Sequence, residues 1–473
     1  MNLVSDRGLT RRGWLFAAGA AAAMAGPLAA CSKGGDAGPW QGQLKNGQAK
    51  TLLKALNEAP SHGFAPAAFP TAGLEDGTGQ AQGRLVSEVL AYARAQHGLS
   101  IPKGAMDPNW GMRANAKYDP SPELRDAAAQ DRVDAWVASL PPPQPQYELL
   151  RKGYATYLKI ANDGGWQPIP AGPDLKPGSR DQRVAALRAR LAFEDAAAKG
   201  DAPYDAGLAQ AVQRFQHRHG LKETGVADAS TLAALNVPAV ARAAQIRANL
   251  ERWRWAPRET PGTRIEVNSA AGLFDLYLDG QPAMHMLTAA GKPGDETPIV
   301  ASKIDTVVLN PTWTVPKEIA EKEIIPKGGD YLSSHHFSQE SDMLVQQPGP
   351  DNALGQVKFL FPNSYSVYLH DTPSRAAFSQ AQRSVSHGCV RLERAIDLAK
   401  LLLGREGTWT PEKIDETLSG DETVNVSLKQ PIPVRIFYWT AFVEGDQVSF
   451  RDDIYGWDEK TLRDLDSAVG RQA

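Results

Sequence analysis

Cysteine is the residue that this chain most nearly lacks. Only two of its 473 residues are cysteine, Cys31 and Cys389. Two thiols cannot form the several disulfides that hold small secreted scaffolds together, and they are too few for a zinc site built mainly from cysteine. The chain must therefore fold by burying apolar side chains, and each cysteine needs an explanation of its own.

The chain also lacks a surplus of charge of either sign. It carries 51 lysines and arginines against 54 aspartates and glutamates, a formal net charge of −3 at pH 7. Without a basic surplus we expect no nucleic-acid partner. Hydrophobic residues make up 42% of the chain and charged residues 22%, the composition of a folded protein. The length suits roughly two to four domains.

A long uninterrupted hydrophobic segment is missing too. The most apolar stretch, residues 13–30, is dominated by alanine and interrupted by Pro27, which is typical of a signal peptide rather than of a membrane span. Arg11 and Arg12 stand before it. This pair fits both a twin-arginine signal and the basic start of a Sec signal, so we predict export by one of these two routes.

The end of that segment, Leu-Ala-Ala-Cys at residues 28–31, resembles the lipobox of bacterial lipoproteins. The resemblance implies that Cys31 is lipidated and holds the protein on a membrane in the periplasm, and the following Ser32 favours the outer membrane. The alternative is a small-residue cleavage site with a chance cysteine. If Cys31 is lipidated, Cys389 has no partner within the chain, and an unpaired thiol in an oxidising compartment needs a use.

The pattern of residues divides the chain into segments. After the signal, apolar residues recur at helical spacing between prolines, with no acid pair, metal cluster or phosphate loop, so we predict a scaffold without chemistry. We predict no cofactor and no metal. The predicted segments are a signal peptide with lipobox (1–31), a tether (32–50), a helical scaffold domain (51–175), a three-helix domain (176–240), a mainly β domain (262–440) with an insertion (315–350), and a C-terminal strand and tail (441–473).

The three-helix domain carries a recognisable pattern. Its second and third helices contain Leu208, Ala211, Val212, Phe215, Gln216, His219, Gly220, Leu221, Thr231, Leu235 and Asn236. This string resembles the peptidoglycan-binding domain type 1, which implies a module that holds glycan. One departure, Glu-Thr-Gly-Val-Ala-Asp at residues 223–228, keeps the alternative open that the domain is a spacer without a ligand.

The C-terminal half changes to the two-residue period of β-strands. Residues 263–280 alternate and turn at Asp279-Gly280, as in a hairpin, and two further strands are predicted about Glu444-Gly445. A helix after Cys389 ends at Gly404. The sequence therefore predicts a multidomain α+β protein, with a helical scaffold, a three-helix domain and a mainly β domain with attached helices.

The surroundings of Cys389 favour nucleophilic chemistry. A thiol attacks as thiolate, and a neighbouring base makes the thiolate accessible near neutral pH. His387 lies two residues before it, and His370 follows a strong strand signal nineteen residues before it. The amides of Gly388 and Cys389 could bind an oxyanion, and Arg391 is a fixed cation. A buried structural cysteine and a metal site of His370, His387 and Cys389 are the alternatives.

The whole stretch LHDTPSRAAFSQAQRSVSHGCVR, residues 369–391, closely resembles the active-site signature of YkuD-type L,D-transpeptidases. Further similarity lies at residues 249–255, 310–316 and 348–363, and with the two helical domains it extends to the long YcbB-like members over most of residues 50–450. The resemblance implies a thiol enzyme that cross-links peptidoglycan stem peptides, and a lid over the cleft at residues 315–350.

The resemblance also implies a role for each residue of the signature. Cys389 is acylated by a donor tetrapeptide, the terminal D-alanine leaves, and an acceptor amine resolves the thioester, with His370 as the proton acceptor and donor. The remaining residues shape the loop or contact substrate and oxyanion: Ser386, His387, Gly388, Arg391 and Tyr368.

Two kinds of alternative function remain: a hydrolase that uses the same residues, and a binding protein that uses none of them for chemistry. An L,D-carboxypeptidase, or a hydrolase that detaches wall-bound proteins, would use the same thiol with water as acceptor. A wall-binding lipoprotein with a vestigial catalytic domain would need no chemistry, and the intact signature argues against it.

The lipid anchor makes a direct prediction. Replacement of Cys31 by alanine removes the atom that would carry the lipid, so Cys31→Ala should move from the membrane fraction to the soluble fraction. Fractionation of cells expressing either form measures this. A variant that stays with the membranes as the unmodified chain does contradicts the lipobox interpretation.

Overall fold

The computed structural model describes residues 43–76, 78–112 and 115–469. The predicted signal peptide, its Cys31 and most of the predicted tether lie outside the described residues, so the structure does not test them. Within the part of the chain that is described, no helix is both long enough and apolar enough to cross a membrane.

The N-terminal region is helical, as the sequence predicts. Its first helix begins at Asn46, within the stretch predicted as tether, because Gln48 is buried and donates a hydrogen bond of 2.9 Å to the Ala128 carbonyl. The second begins after Thr78, whose hydroxyl accepts from the Ala81 amide as an N-cap. The helices of this region are α1 Asn46–Glu58, α2 Gly79–Arg94, α3 Ser121–Ala129, α4 Val133–Ser139 and α5 Pro145–Asn162.

Three shorter helices form the compact unit predicted between residues 176 and 240. Asp205 and Asp228 cap the second and third, each accepting a backbone hydrogen bond of 2.8 Å. Apolar side chains such as Phe215 fill the space between them. The helices are α6 Arg183–Leu191, α7 Ala206–Arg218 and α8 Ala229–Leu235.

A long helix, α9 (Ala239–Trp255), joins this unit to the rest of the protein. The Asn249 side chain donates to the Thr440 hydroxyl at 2.7 Å, and Trp253 stacks on Trp439 with ring centroids 4.5 Å apart. Helix α9 is therefore buried between the helical region and the C-terminal end of the chain.

The β domain is a closed sheet. Eight strands pair in the order β3-β11-β9-β8-β4-β12-β1-β2, β2 pairs back with β3, and β10 adds to β3 outside this ring. Its strands in chain order are β1 Arg264–Asn268, β2 Leu273–Leu278, β3 Gln281–Gly291, β4 Val300–Leu309, β5 Trp313–Thr314, β6 Phe337–Glu340, β7 Met343–Gln346, β8 Val357–Leu360, β9 Leu369–His370, β10 Ser384–Ser386, β11 Val390–Leu392, β12 Val424–Phe437, β13 Ala441–Glu444 and β14 Gln447–Phe450.

Helices and a small sheet attach to this closed sheet. The short strands β5, β7 and β6 form a separate three-stranded sheet, with β6 and β7 in the predicted insertion and β5 just before it. The helices of this part are α10 Lys317–Ile319, α11 Gly329–Ser334, α12 Ala395–Gly404, α13 Pro411–Leu418 and α14 Trp457–Val469. Helix α12 ends at Gly404, as predicted, and buries Leu398 and Leu402 in the sheet's core.

The end of the chain contains the two strands predicted about Glu444-Gly445 and a helix that was not predicted. Residues 441–450 form the β13–β14 hairpin, and α14 follows it. Trp457, Thr461 and Leu465 recur every four residues along α14 and are buried. This spacing gives the helix a buried face. The helix was not predicted because most of the residues between these positions are polar.

A buried ion pair within α9 lies against the N-terminal region, which Arg254 contacts. Glu251 and Arg254 are fully buried, with Nη1 of the arginine 2.5 Å from a carboxylate oxygen of the glutamate. The guanidinium also donates to the His62 carbonyl and lies 3.9 Å from the centroid of the Phe64 ring. Removal of one partner of a buried ion pair destabilises the folded protein, because the other charge is left buried and uncompensated.

Arg254→Met should therefore lower the free energy of unfolding by about 3–5 kcal/mol, since Glu251 loses its counter-charge. The second change Glu251→Gln should restore part of this loss. Chemical denaturation followed by tryptophan fluorescence measures both. The control is Lys54→Met, which breaks an exposed pair with Glu58 and should change stability by less than about 1 kcal/mol. A double variant less stable than Arg254→Met contradicts the account.

Candidate active site

The predicted nucleophile lies in a tight loop between β10 and β11. Gly388 has φ +102°, a conformation that other residues rarely adopt. The Ser386 hydroxyl donates to the Cys389 carbonyl at 2.5 Å and accepts from the Gly388 amide at 3.2 Å. The Thr297 hydroxyl donates to the Gly388 carbonyl at 2.8 Å. The loop is thus held by hydrogen bonds from both sides, and in this conformation the Gly388 amide is engaged by Ser386.

The Cys389 thiol is a free thiol in a largely buried position. Burial raises the pKa of the Cys389 thiol. The amide and hydroxyl of Tyr368 and the positive charges of Lys358 and Arg391 oppose this increase, because each favours the thiolate. The groups that would stabilise negative charge on the sulfur are therefore present, but burial outweighs them in the resting protein.

His370 presents an unprotonated nitrogen in a neutral ring. Its Nδ1 lies 2.5 Å from the Asp371 carbonyl oxygen, which can only accept, so Nδ1 carries the hydrogen and Nε2 does not. Burial, and then the positive charge of Arg391, lowers the pKa of His370 to about 3. At neutral pH the ring is uncharged, and Nε2 is the nitrogen able to accept a proton.

A carboxylate fixes the strand that carries His370. Asp371 accepts from the Gln356 amide at 2.9 Å and from Arg375 at 2.7 Å. Gly355 has φ +60°, and a Cβ built there would lie 2.3 Å from a carboxylate oxygen of Asp371. Only glycine leaves room for this arrangement, which anchors the residue next to the histidine.

One cavity collects most of the predicted site residues. Its volume is about 260 Å³, and Tyr368, His370, Ser386, His387, Cys389 and Arg391 all line it. Its other wall comes mostly from the predicted insertion, through the aromatic rings of Tyr331 and Phe337 and the charged Glu323 and Lys327. The ring of Trp313, which lies just before the insertion, also lines it. Of the predicted site residues within the described chain, Gly388 alone does not line the cavity.

The two histidines of the signature occupy different surroundings. His387 Nε2 lies 2.7 Å from a Glu323 carboxylate oxygen and 3.1 Å from Lys292 Nζ. Because a carboxylate accepts, Nε2 of His387 carries a hydrogen that it donates to Glu323. The contact lowers the pKa of Glu323 and joins the insertion to the loop of Cys389. His387 is therefore engaged in holding these two segments together, whereas His370 keeps an acceptor nitrogen.

Sequence reasoning missed three charged residues of this site. Glu323 and Lys292 contact His387 from positions 64 and 95 residues away in the chain. Lys358 lies with its Nζ 4.0 Å from the centroid of the Tyr368 ring. The sequence contained one indication of Lys358: it lies in a stretch predicted as a strand, directly before Phe359, so it must project from one face of a sheet.

Three family models match this chain. Residues 262–434 match the L,D-transpeptidase catalytic domain (YkuD), residues 38–153 match the scaffold domain, and residues 180–235 match the "Putative peptidoglycan binding domain". The predicted fold class, with its helical N-terminal region, three-helix domain and mainly β domain, is confirmed by these matches together with the observed elements.

Individual proteins with similarity to the chain carry related names. A "Putative L,D-transpeptidase" of Haemophilus influenzae is 31% identical over 235 residues, which cover 45% of this chain and 47% of that protein. The chain thus matches about half the length of this relative.

Among solved structures, an L,D-transpeptidase from Mycobacterium smegmatis is 18% identical with a TM-score of 0.21, covering 37% of this chain and 58% of its own. L,D-transpeptidase 3 from Mycobacterium tuberculosis is 14% identical with a TM-score of 0.20, covering 37% and 61%. At these TM-scores the similarity supports no structural conclusion. The family models carry the assignment: residues 262–434 belong to the YkuD family of L,D-transpeptidase catalytic domains, joined in this chain to a scaffold domain and a peptidoglycan-binding domain.

Proposed function

We propose that the chain is a peptidoglycan L,D-transpeptidase with Cys389 as its nucleophile. The observation that carries the proposal is the shared cavity, in which the Cys389 thiol and the unprotonated nitrogen of His370 lie within a domain of this family. The substrate is a peptidoglycan stem peptide, which supplies both the acyl group and, from a second strand, the accepting amine.

In the first half-reaction the Cys389 sulfur attacks the carbonyl carbon of the peptide bond to the terminal D-alanine of the donor. His370 Nε2 accepts the thiol proton as the sulfur–carbon bond forms. The tetrahedral intermediate then collapses, the carbon–nitrogen bond breaks, and the protonated His370 returns the proton to the leaving amine. The product is a thioester on Cys389 and free D-alanine.

In the second half-reaction an amine of the acceptor stem attacks the thioester carbonyl. His370 accepts the amine proton, an amide bond forms, and the sulfur leaves and regains a proton. In both steps the carbonyl oxygen becomes negative, and the Tyr368 hydroxyl, which faces the sulfur, is the proposed donor to it. Burial and the neighbouring thiol raise the pKa of Tyr368, so its hydroxyl stays protonated and able to donate.

The resting state has consequences for the mechanism. A thiol with a raised pKa and an imidazole with a lowered pKa are both neutral near pH 7. Proton transfer from Cys389 to His370 therefore accompanies the attack rather than preceding it. A neutral resting pair also leaves the thiol less reactive toward oxidants in the absence of substrate, because the thiolate is the form that oxidises.

We assign the insertion and the three-helix domain supporting roles. The aromatic rings of the insertion cover the cavity, and the Glu323–His387 contact holds this cover to the catalytic loop, which supports a lid. A polar groove between α7 and the β13–β14 hairpin contains Gln210, Gln213 and Arg214, side chains suited to hydroxyl and carboxylate groups of a glycan strand with its stems. With the predicted lipid anchor, these parts would keep the enzyme at the cell wall in the periplasm.

Product analysis tests the proposed activity. Purified protein incubated with a disaccharide-tetrapeptide should yield cross-linked dimers and free D-alanine by mass spectrometry, while Cys389→Ala should yield neither. Tripeptide without dimer identifies water as the acceptor and favours the L,D-carboxypeptidase. An unchanged tetrapeptide in both samples supports the vestigial, wall-binding alternative and contradicts the proposal.

The pH dependence of thiol reactivity tests the roles of the two histidines. The rate at which iodoacetamide alkylates Cys389 should rise with pH through a midpoint above that of an ordinary thiol, because burial raises the pKa. His370→Ala should slow alkylation near neutral pH and much less at high pH, where hydroxide removes the proton. His387→Ala should change the rate less, since that ring is engaged with Glu323. A larger effect of His387→Ala than of His370→Ala would assign the roles the other way.

A further inference from the structure

A row of cationic and titratable side chains crosses three strands beside Cys389. Lys358 of β8 lies opposite His370 of β9, and His370 lies opposite Arg391 of β11. Residues opposite each other in neighbouring strands project to the same face of a sheet. The pairing of these short strands therefore brings Lys358, which lies 31 residues before the cysteine in sequence, into the same face as the catalytic histidine.

Lys358 is half-buried and has no counter-charge. In the described part of the chain, no carboxylate lies within ion-pair distance of its Nζ. Its neighbours are the face of the Tyr368 ring, 4.0 Å from Nζ to the centroid, and the Cys389 sulfur. A cation removed from water without a carboxylate partner is unfavourable for folding. The interactions that can stabilise the Lys358 ammonium are the cation–π contact with the Tyr368 ring and the attraction of a Cys389 thiolate.

Tyr368 connects this cation to the sulfur. One face of its ring carries the Lys358 ammonium, and the ring of His370 lies at 5.6 Å in an edge-on arrangement. The Tyr368 hydroxyl and amide both face the Cys389 sulfur. The ring is thus held between Lys358 and His370, with its hydroxyl directed at the reacting atom.

We propose that Lys358 is a positioning residue for the nucleophile, which fixes the ring of Tyr368 beside the sulfur and stabilises by its charge the thiolate that forms during attack. The proposal rests on the proposed function only in taking Cys389 as the reactive thiol. Lys358 exchanges no proton in this role: the thiol proton goes to His370, and the ammonium stays charged throughout.

The charges around the sulfur show why such a residue is needed. His370 is neutral at rest and contributes no positive charge. The positive charges acting on the Cys389 sulfur are Lys358 from β8 and Arg391 from β11. Glu323, Lys327 and Asp351 line the outer part of the same cavity. Loss of either cation would leave one positive charge instead of two beside the thiolate, in addition to the hydrogen bonds of Tyr368.

The test is the alkylation of Cys389 by iodoacetamide across a range of pH, with the full chain. Lys358→Met keeps an unbranched side chain, one atom shorter than lysine, and removes its charge. It should slow alkylation at pH 7 by about tenfold, shift the whole profile to higher pH, and leave the plateau rate at high pH unchanged. Lys358→Arg restores the charge and should return the profile toward that of the unmodified chain.

The matched control is Lys303→Met, which removes the same charge from an exposed position on the neighbouring strand β4. Its profile should coincide with that of the unmodified chain, which excludes a simple effect of net charge. If Lys358→Met fails to fold, Lys358→Gln replaces it, and circular dichroism confirms folding of each variant before the assay. Coinciding profiles for the folded Lys358 variant and the unmodified chain overturn the proposal.

A double variant tests the part assigned to Tyr368. In a Tyr368→Phe background the hydroxyl is absent, so Lys358→Met should slow alkylation by a smaller factor than it does alone. An equal factor in both backgrounds overturns the role of the tyrosine hydroxyl.

The alkylation assay needs neither donor nor acceptor peptide, so its result is independent of the proposed activity. A shifted Lys358→Met profile in a chain that forms no cross-links supports this inference and rejects the transpeptidase. Coinciding profiles in a chain that does form cross-links reject this inference and support the transpeptidase.

Discussion

The chemistry of this protein depends on the pairing of three short strands, β8, β9 and β11. Strand β9 contains only Leu369 and His370, and it is hydrogen-bonded on both sides. A shift of one residue in this pairing would turn His370 to the opposite face of the sheet. The closed sheet prevents such a shift, because every strand of the ring has two neighbours. The position of His370 in the cavity is therefore a consequence of the closure of the sheet rather than of the loop sequence alone.

Burial of the nucleophile creates a conflict that the site resolves through its neighbours. A dry cavity strengthens electrostatic interactions with a developing oxyanion, but it also opposes ionisation of the thiol. The site contains a neutral histidine, a tyrosine hydroxyl and two cations near the thiol rather than a preformed thiolate–imidazolium pair. In the proposed mechanism, negative charge on the sulfur forms only when substrate is bound. If the chain is exported as the sequence predicts, the same arrangement would help its thiol to persist in an oxidising compartment.

Local features of the sequence predicted much of the fold. The hairpin turn at Asp279-Gly280 and the end of α12 at Gly404 each depend on residues within one turn, and the structure agrees with both. The closed order of the strands, the early start of α1 and helix α14 were not predicted. Each depends on contacts between distant segments, such as that of Gln48 with Ala128, which no local pattern records.

The residues of the site also fall into those that a local pattern identified and those that only distant contacts bring together. The signature around Cys389 identified the residues that line one wall of the cavity, because they lie close together in sequence. It could not identify Glu323 or Lys358, which reach the site from the insertion and from β8. The residues around Cys389 left His370 and His387 both open as the base, and the family resemblance assigned that role to His370. The hydrogen of His370 at Nδ1 and the engagement of His387 with Glu323 favour His370, and both follow from contacts with other segments.

The most direct test of the central claim is the mass of the covalent intermediate. The protein is mixed with a donor tetrapeptide that lacks a free acceptor amine, quenched in acid, and digested for peptide mapping by mass spectrometry. The account predicts the mass of the donor minus its terminal D-alanine on the peptide that contains Cys389, and no such mass on Cys389→Ser. An adduct on another residue, or product formation by the Cys389→Ala variant, would contradict it.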